Sequence, residues 1–384
     1  MPSYRRRKLK LTTAGESHGK ALIGIIEGLP SNLKIDIEEI NKYLVLRQSG
    51  YGRGGRQKIE RDRVEIISGV RNLVTLGSPL SFVIVNKDYE NWRRVMAPEG
   101  CDVNEKTLTK VRPGHADLTG LIKYGQTDAR NILERASARE TAARVAAGTV
   151  ARQYLRNLGV EISGYVSGVC GERDENVYKF KDTLKAKEQP LFMLNEEIQQ
   201  RAMRRIDELK ANGDTAGGII EIRVKGLKSG FGSCMRYSEK LDAALCSAVM
   251  SVQAIKGVEI GCGFDSADIA GSEAHDEIYF SDGKYFRRTN KAGGIEGGMS
   301  NGEEIVLRAA MKPIPTLMKG LKTIDYSTNL PAVASNERSD VCAVCAAEII
   351  LESVVAFALA EAVSLRLGGD DMREVIERYT SLKG

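Results

Sequence analysis

The sequence predicts a layered α/β chain with a helical layer at its centre, and three observations lead there. Short β-like runs and helical patterns are interspersed along the 384 residues. At least two helices are apolar around most of their circumference, so each must be covered on more than one side. Apolar residues make up 42% of the chain, enough for a substantial core. At about 150 residues per domain, the length allows two domains or one large one. No internal repeat, low-complexity tract or Pro/Ser-rich linker marks a boundary.

The β-like runs fall at 21–27, 64–68, 80–85, 160–166, 218–224, 257–263 and 304–310. A first helix is expected over 36–46, where Ile37, Ile40, Tyr43 and Leu44 repeat at a helical period and Asp36 with Glu39 makes a capping-type start. The clearest helix runs from Ser137 to about Leu158. Ser137 and Glu140 fit a capping box, the body is alanine-rich, and Gly159 supplies the stop. Another covers roughly 239–255, and the last long one follows Asp340 and ends near Gly368. The segment 86–110 has little periodicity and carries the only tryptophan, Trp92; leading into the next motif, it reads as a lid over an active site, 86–111.

Charge and cysteine usage narrow the class. The net charge of +5 arises from 56 basic and 51 acidic residues, a heavily charged surface that favours anionic partners without requiring nucleic acid. Seven irregularly spaced cysteines argue for a reducing compartment. Cys342 and Cys345 form a lone CxxC inside an apolar run and read as helix packing. The basic residues 1–10 precede no apolar stretch of the secretory type. Glu348, Glu352 and Glu361 interrupt the apolar run 341–367, which therefore reads as a buried helix and not a membrane span. A soluble, cytoplasmic protein is expected, with neither nucleic acid nor membrane as partner.

Two of the three histidines lie in glycine-flanked polar motifs, Gly15-Glu16-Ser17-His18-Gly19 and Arg112-Pro113-Gly114-His115-Ala116-Asp117. Histidine exchanges a proton near neutral pH, which makes both candidates for acid–base work, against the alternative of satisfied loop histidines. Gly50-Tyr51-Gly52-Arg53-Gly54-Gly55 matches GxGxxG but follows a helix and precedes a β-like run, the reverse of a dinucleotide fingerprint. With Arg47, Arg53 and Arg56 around it, it reads as a backbone loop presenting guanidiniums to an anion. Glu134-Arg135-Ala136-Ser137-Ala138-Arg139-Glu140 sets arginines and a hydroxyl at a helix start, where phosphate can bind. Arg338-Ser339-Asp340 repeats that pattern, although taken alone Asp340 reads as a helix cap. The glycine-rich loop 292–302 admits a planar ligand close to backbone, and Lys312-Pro313-Ile314-Pro315-Thr316 is stiffened by two prolines. HExxH, Walker A, GxSxG and paired CxxC motifs are absent, so no metal site is expected.

These motifs, in this order from residue 10 to about 355, resemble chorismate synthase. The resemblance implies a single domain, 1–384, folded as a β-α-β sandwich with helices between two antiparallel sheets and assembled as a homotetramer. It implies the last common step of aromatic amino-acid biosynthesis, the shikimate pathway: 1,4-anti elimination of phosphate from 5-enolpyruvylshikimate 3-phosphate, giving chorismate. Reduced FMN is required without net redox change. Carried over by motif, His18 resembles the acid toward the departing phosphate, His115 the histidine beside the flavin, and Asp340 the carboxylate of the proton relay. FMN contacts map to Arg135, Ala136, Ser137, Gln253, Ala254, Gly297, Lys312, Pro313, Ile314, Pro315, Thr316 and Arg338. Arg47 and Arg53 match positions for anionic substrate or for NADPH as reductant, and Ser17, Arg112 and Arg139 further anion contacts. Ala136 and Gln253 depart from the serine and asparagine of some members. His275 matches no role.

Overall fold

The computed structural model describes residues 9–54, 62–100, 102, 105–334 and 340–382. Arg56, Arg338 and Ser339 lie outside the described residues.

Strands β1 (Lys10–Ala14), β2 (Ala21–Glu27), β3 (Val64–Ser68) and β4 (Leu80–Val85) form an antiparallel sheet in the order β1-β2-β4-β3. Alternation in β2 sends Leu22 and Ile26 inward and leaves Ile23 and Ile25 exposed. Strands β5 (Glu161–Val169), β6 (Glu172–Arg173), β7 (Gly218–Lys225), β8 (Ile255–Ile260) and β9 (Ile305–Met311) form a second antiparallel sheet in the order β8-β9-β7-β5-β6.

Between the sheets lie helices α1 (Ile37–Gln48), α5 (Thr141–Arg156), α7 (Leu241–Met250) and α8 (Val344–Leu367). Helix α5 packs on β1 and β2 on one side and on α8 on another, while α8 reaches β5 and β7. Both central helices are buried around nearly their whole circumference, as their composition predicts. Gly148 of α5 sets their separation: a Cβ there would lie 2.4 Å from Ser353 Cβ and its carbonyl oxygen. The result is the expected β-α-β sandwich. One core cluster runs from Leu9 to Tyr379, and a small satellite gathers Val111, Leu121, Ala129 and Ile132.

Several local expectations change. Asp36 caps α1, accepting from Glu39 N at 3.0 Å, as predicted. Ser137 instead caps a three-residue 3-10 turn, Ala138–Glu140, and α5 begins only at Thr141. No capping box forms, because Glu140 turns to Thr13 and Arg144, both at 3.1 Å. Asp340 is not the cap of α8, which starts four residues later at Val344. The segment read as aperiodic contains helix α2 (Tyr89–Met96), which has no buried residue. Helices α3 (Asp117–Tyr124), α4 (Ala129–Ala136), α6 (Glu196–Ala211) and α9 (Met372–Ser381) and strand β1 were not read from the sequence. Among the described residues, no helix is long and apolar enough to cross a membrane, and no cluster of potential metal ligands occurs.

Candidate active site

The loop between β1 and β2 delivers Ser17 and His18 to the N-terminal half of the sandwich, where α4 meets them. His18 is 5% exposed. Its ring nitrogen Nδ1 lies 2.8 Å from Glu134 Oε1, and its backbone N–H donates to Glu134 Oε2 at 2.8 Å. Arg130, one helical turn earlier, donates to Glu134 Oε1 at 3.3 Å. Burial pushes the Glu134 carboxyl up. The His18 ring and backbone hydrogen bonds and the Arg130 charge outweigh that and hold it below the usual glutamate range. The Trp92 indole stacks on the His18 ring with centroids 3.7 Å apart and planes at 25°.

His115 follows the same plan just ahead of α3, whose first residue is Asp117. Its Nδ1 lies 2.5 Å from Asp117 Oδ1, and Arg112 grips the same carboxylate through Nε and Nη2 at 2.8 and 2.9 Å. Asp117, at 1% exposure, also accepts from Arg112 backbone N–H. Burial opposes its charge, but the hydrogen bonds from His115 and Arg112 prevail and hold it well below the usual carboxylate range. A carboxylate on Nδ1 fixes the ring and makes Nε2 the nitrogen for chemistry.

Two further motifs, Lys312–Thr316 and Arg53 with Asp340, come together around the loop after β9. Lys312 Nζ donates to Gly114 O at 2.5 Å, beside His115, and Arg112 Nη1 reaches Thr316 Oγ1 at 3.3 Å. Lys312 N–H bonds Ala254 O, and Ile314 O accepts from Thr215 Oγ1 at 2.8 Å. Ala216 next to Thr215 pairs with the strand-like Val341–Cys342, which brings in Asp340. Asp340 is held on both oxygens, by Gly54 N–H and by Arg53 Nη1, each at 2.7 Å. Glycines at 50 and 52 make this docking possible. Both have positive φ, and a Cβ at Gly50 would lie 2.5 Å from Cys345 Cβ. Cys342 and Cys345 are free, buried thiols whose ionisation burial suppresses, in keeping with packing.

Around Ser137 the arginines hold protein atoms. Arg135 donates to the carbonyls of Gly15 and Thr13. Arg139 pairs with Asp62, and Arg47 donates to Thr141 Oγ1 and Ala138 O at 3.0 and 2.8 Å. Ser17 Oγ and Ser137 Oγ are 3.2 Å apart. Arg144 links this region to Ser251, two residues before Gln253. Two features fit the implied flavin: Gln253 Oε1 is buried with no hydrogen-bond partner among the described residues, and Ala254 holds φ +69. Gly297 stands apart, in the turn of a short hairpin near the Ile305 end of β9. A seven-residue strand, about 20 Å, separates that end from Lys312. His275 lies at the edge of a cleft of about 400 Å³ with Tyr279 and Arg288 and joins none of these groups.

Sequence reasoning named His18 and His115 but assigned no role to Glu134, Asp117, Asp62 or Trp92. The signal for Asp117 was its place two residues after His115. Glu134 is 116 residues from His18, and nothing local announces it.

Residues 9–364 match the family profile described as chorismate synthase. Proteins named chorismate synthase from Alkaliphilus metalliredigens and Caldicellulosiruptor bescii are 54% and 50% identical, each alignment covering 97% of this chain and 98% of the relative. One from Geobacter sulfurreducens is 51% identical, covering 97% of both. A crystal structure of chorismate synthase superposes with a TM-score of 0.79 at 39% identity, covering 98% of this chain and 97% of that one. With the motifs, fold and coverage in agreement, this chain belongs to the chorismate synthase family.

Proposed function

We propose that this chain eliminates phosphate from 5-enolpyruvylshikimate 3-phosphate to give chorismate, as a lyase of the shikimate pathway working with bound reduced FMN. The observation that carries the reading is the pairing of each motif histidine with a buried carboxylate, His18 with Glu134 and His115 with Asp117. Elimination needs a proton for the departing phosphate and an acceptor for the proton lost from carbon, and groups of both kinds are present. His18 donates toward the phosphate through Nε2. The His115 ring, oriented by Asp117, lies beside Lys312, whose ammonium offers cationic stabilisation to an electron-rich ligand. Asp340, oriented by Arg53 and Gly54, accepts and relays the proton.

Reduced FMN supplies electron density to the substrate when bound. Arg135, Ala136, Ser137, Gln253, Ala254, Lys312, Pro313, Ile314, Pro315 and Thr316 would hold it; the buried, unpartnered Gln253 Oε1 supports that placement. Gly297 and Arg338 complete the set by motif. Ser17, Arg47, Arg53, Arg112 and Arg139 frame the anionic substrate, with Arg47 and Arg53 also the positions for NADPH. Helix α2, bringing Trp92 onto His18, supports reading 86–111 as a cover that keeps water from the site. The continuous core supports one domain, and the exposed Ile23 and Ile25 on the outer face of β2 support assembly as a homotetramer. The free thiols among the described cysteines support a cytoplasmic location.

Anaerobic incubation with substrate, FMN and NADPH, with and without photoreduction, tests the reductant. Turnover only after photoreduction is expected, because the chain has no large insertion to supply a reductase function. Turnover with NADPH alone would assign flavin reduction to this chain.

A further inference from the structure

His18 has its ring fixed from two directions by groups that no motif announces. Glu134 takes Nδ1 at 2.8 Å and the residue's own backbone N–H at 2.8 Å, so one carboxylate fixes both the ring and its main chain. Trp92 covers the ring at 3.7 Å and is itself held, Nε1 donating to Asp88 Oδ2 at 3.0 Å. The charged groups around this stack come from three segments. Arg130 lies on α4 with Glu134, Asp88 caps α2, and Lys106 places Nζ 3.7 Å from the indole centroid. The carboxylate on Nδ1 and the indole on the ring face together leave the ring one orientation.

We propose that Glu134 and Trp92 are positioning residues that clamp the His18 ring, committing Nδ1 to Glu134 so that proton transfer passes through Nε2 alone. This rests on the reading of His18 as the proton donor. Glu134 orients the ring without touching the ligand, and α2 closes the other face against water. The clamp couples catalysis to the seating of α2, since withdrawing Trp92 removes one of its two jaws.

The chain's single tryptophan lets the clamp be observed directly, because a histidine ring quenches an indole stacked on it. In the full chain, Trp92 emission is expected to be lower than in H18F, where no imidazole lies over the indole. E134Q is expected to lower kcat at least about tenfold with KM within about twofold, the pattern of a lost orientation, and E134D to recover most of it. Trp92→Ala, on a helix with no buried residue, tests the second jaw without endangering the fold and is expected to lower kcat about fivefold or more. Wild-type kcat in both E134Q and Trp92→Ala, with H18F inactive, would overturn the clamp and leave His18 as donor. Near-wild-type turnover of H18F would instead overturn the donor reading beneath it. Identical Trp92 emission in the parent and H18F would show that the indole does not sense this ring, and would also overturn the clamp.

Discussion

Asp117 illustrates how much one buried side chain carries in this site. It is 1% exposed, bridges His115 to Arg112, and is reached by two side chains and a backbone N–H. Asp117→Asn keeps the shape and removes the charge, leaving Arg112 buried opposite a neutral amide. The expected cost is about 3–5 kcal/mol in urea unfolding, the range for breaking a buried pair. A loss of turnover of the order produced by H115A, about a hundredfold or more, should accompany it. The pH dependence has a definite sign. Because folding depresses this carboxyl below its unfolded value near 3.8, its stabilisation is present above about pH 4 and fades as acid protonates it. The variant therefore loses less stability on acidification than the parent does. Equal acid limbs in both would contradict this account.

At the scale of elements, the packing of α5 on α8 decides where the site can form, because α5 leads out of the Ser137 turn and α8 out of Asp340. Gly148→Ala would drive a methyl group into Ser353 and its carbonyl, an overpacking cost of about 1–3 kcal/mol measurable by urea unfolding. A variant as stable as the parent would show that the helices can separate freely. These helices were legible in the sequence because alanine, valine and other apolar residues recur around most of their circumference. Their starts were not. Ser137-Ala-Arg-Glu140 has the letters of a capping box, yet Glu140 finds better partners in Thr13 and Arg144, which local sequence cannot reveal. Strand β1, Lys10-Leu-Thr-Thr-Ala14, is too polar to stand out, and it exists because β2 offers an edge. Short helices such as α2 carry no core stripe and left no periodic trace. Among site residues, motif histidines and arginines could be read directly. Their carboxylate partners could be read only where sequence distance was small, as for Asp117 and not Glu134.

Across the whole molecule, the helical layer is tied to the second sheet by an ionic cluster, with Arg152 and Lys187 also donating to the Ile162 and Gly164 carbonyls of β5. Lys187 Nζ lies 2.9 Å from Glu348 Oε1 and 2.8 Å from Glu352 Oε1, and Arg152 meets Glu352 Oε2 at 2.5 Å. Both glutamates interrupt the apolar run of α8, and both are fully buried. Burial and the neighbouring Glu352 charge push Glu348 up despite Lys187. With the folded value above the unfolded 4.5, its contribution is complete below that pH and is lost as pH rises through the folded value. Glu348→Gln should flatten the decline in melting temperature between about pH 4.5 and about 8, and an unchanged decline would place its cause elsewhere. The central claim of the proposed reading is that the two histidine–carboxylate pairs serve an elimination without net redox change. The most direct measurement is anaerobic: purified protein, 5-enolpyruvylshikimate 3-phosphate and photoreduced FMN, with phosphate, chorismate and flavin oxidation state followed together. Phosphate and chorismate appearing one for one, with the flavin still reduced at the end, is the predicted result; substrate binding without phosphate release, or flavin oxidised in step with product, would contradict it.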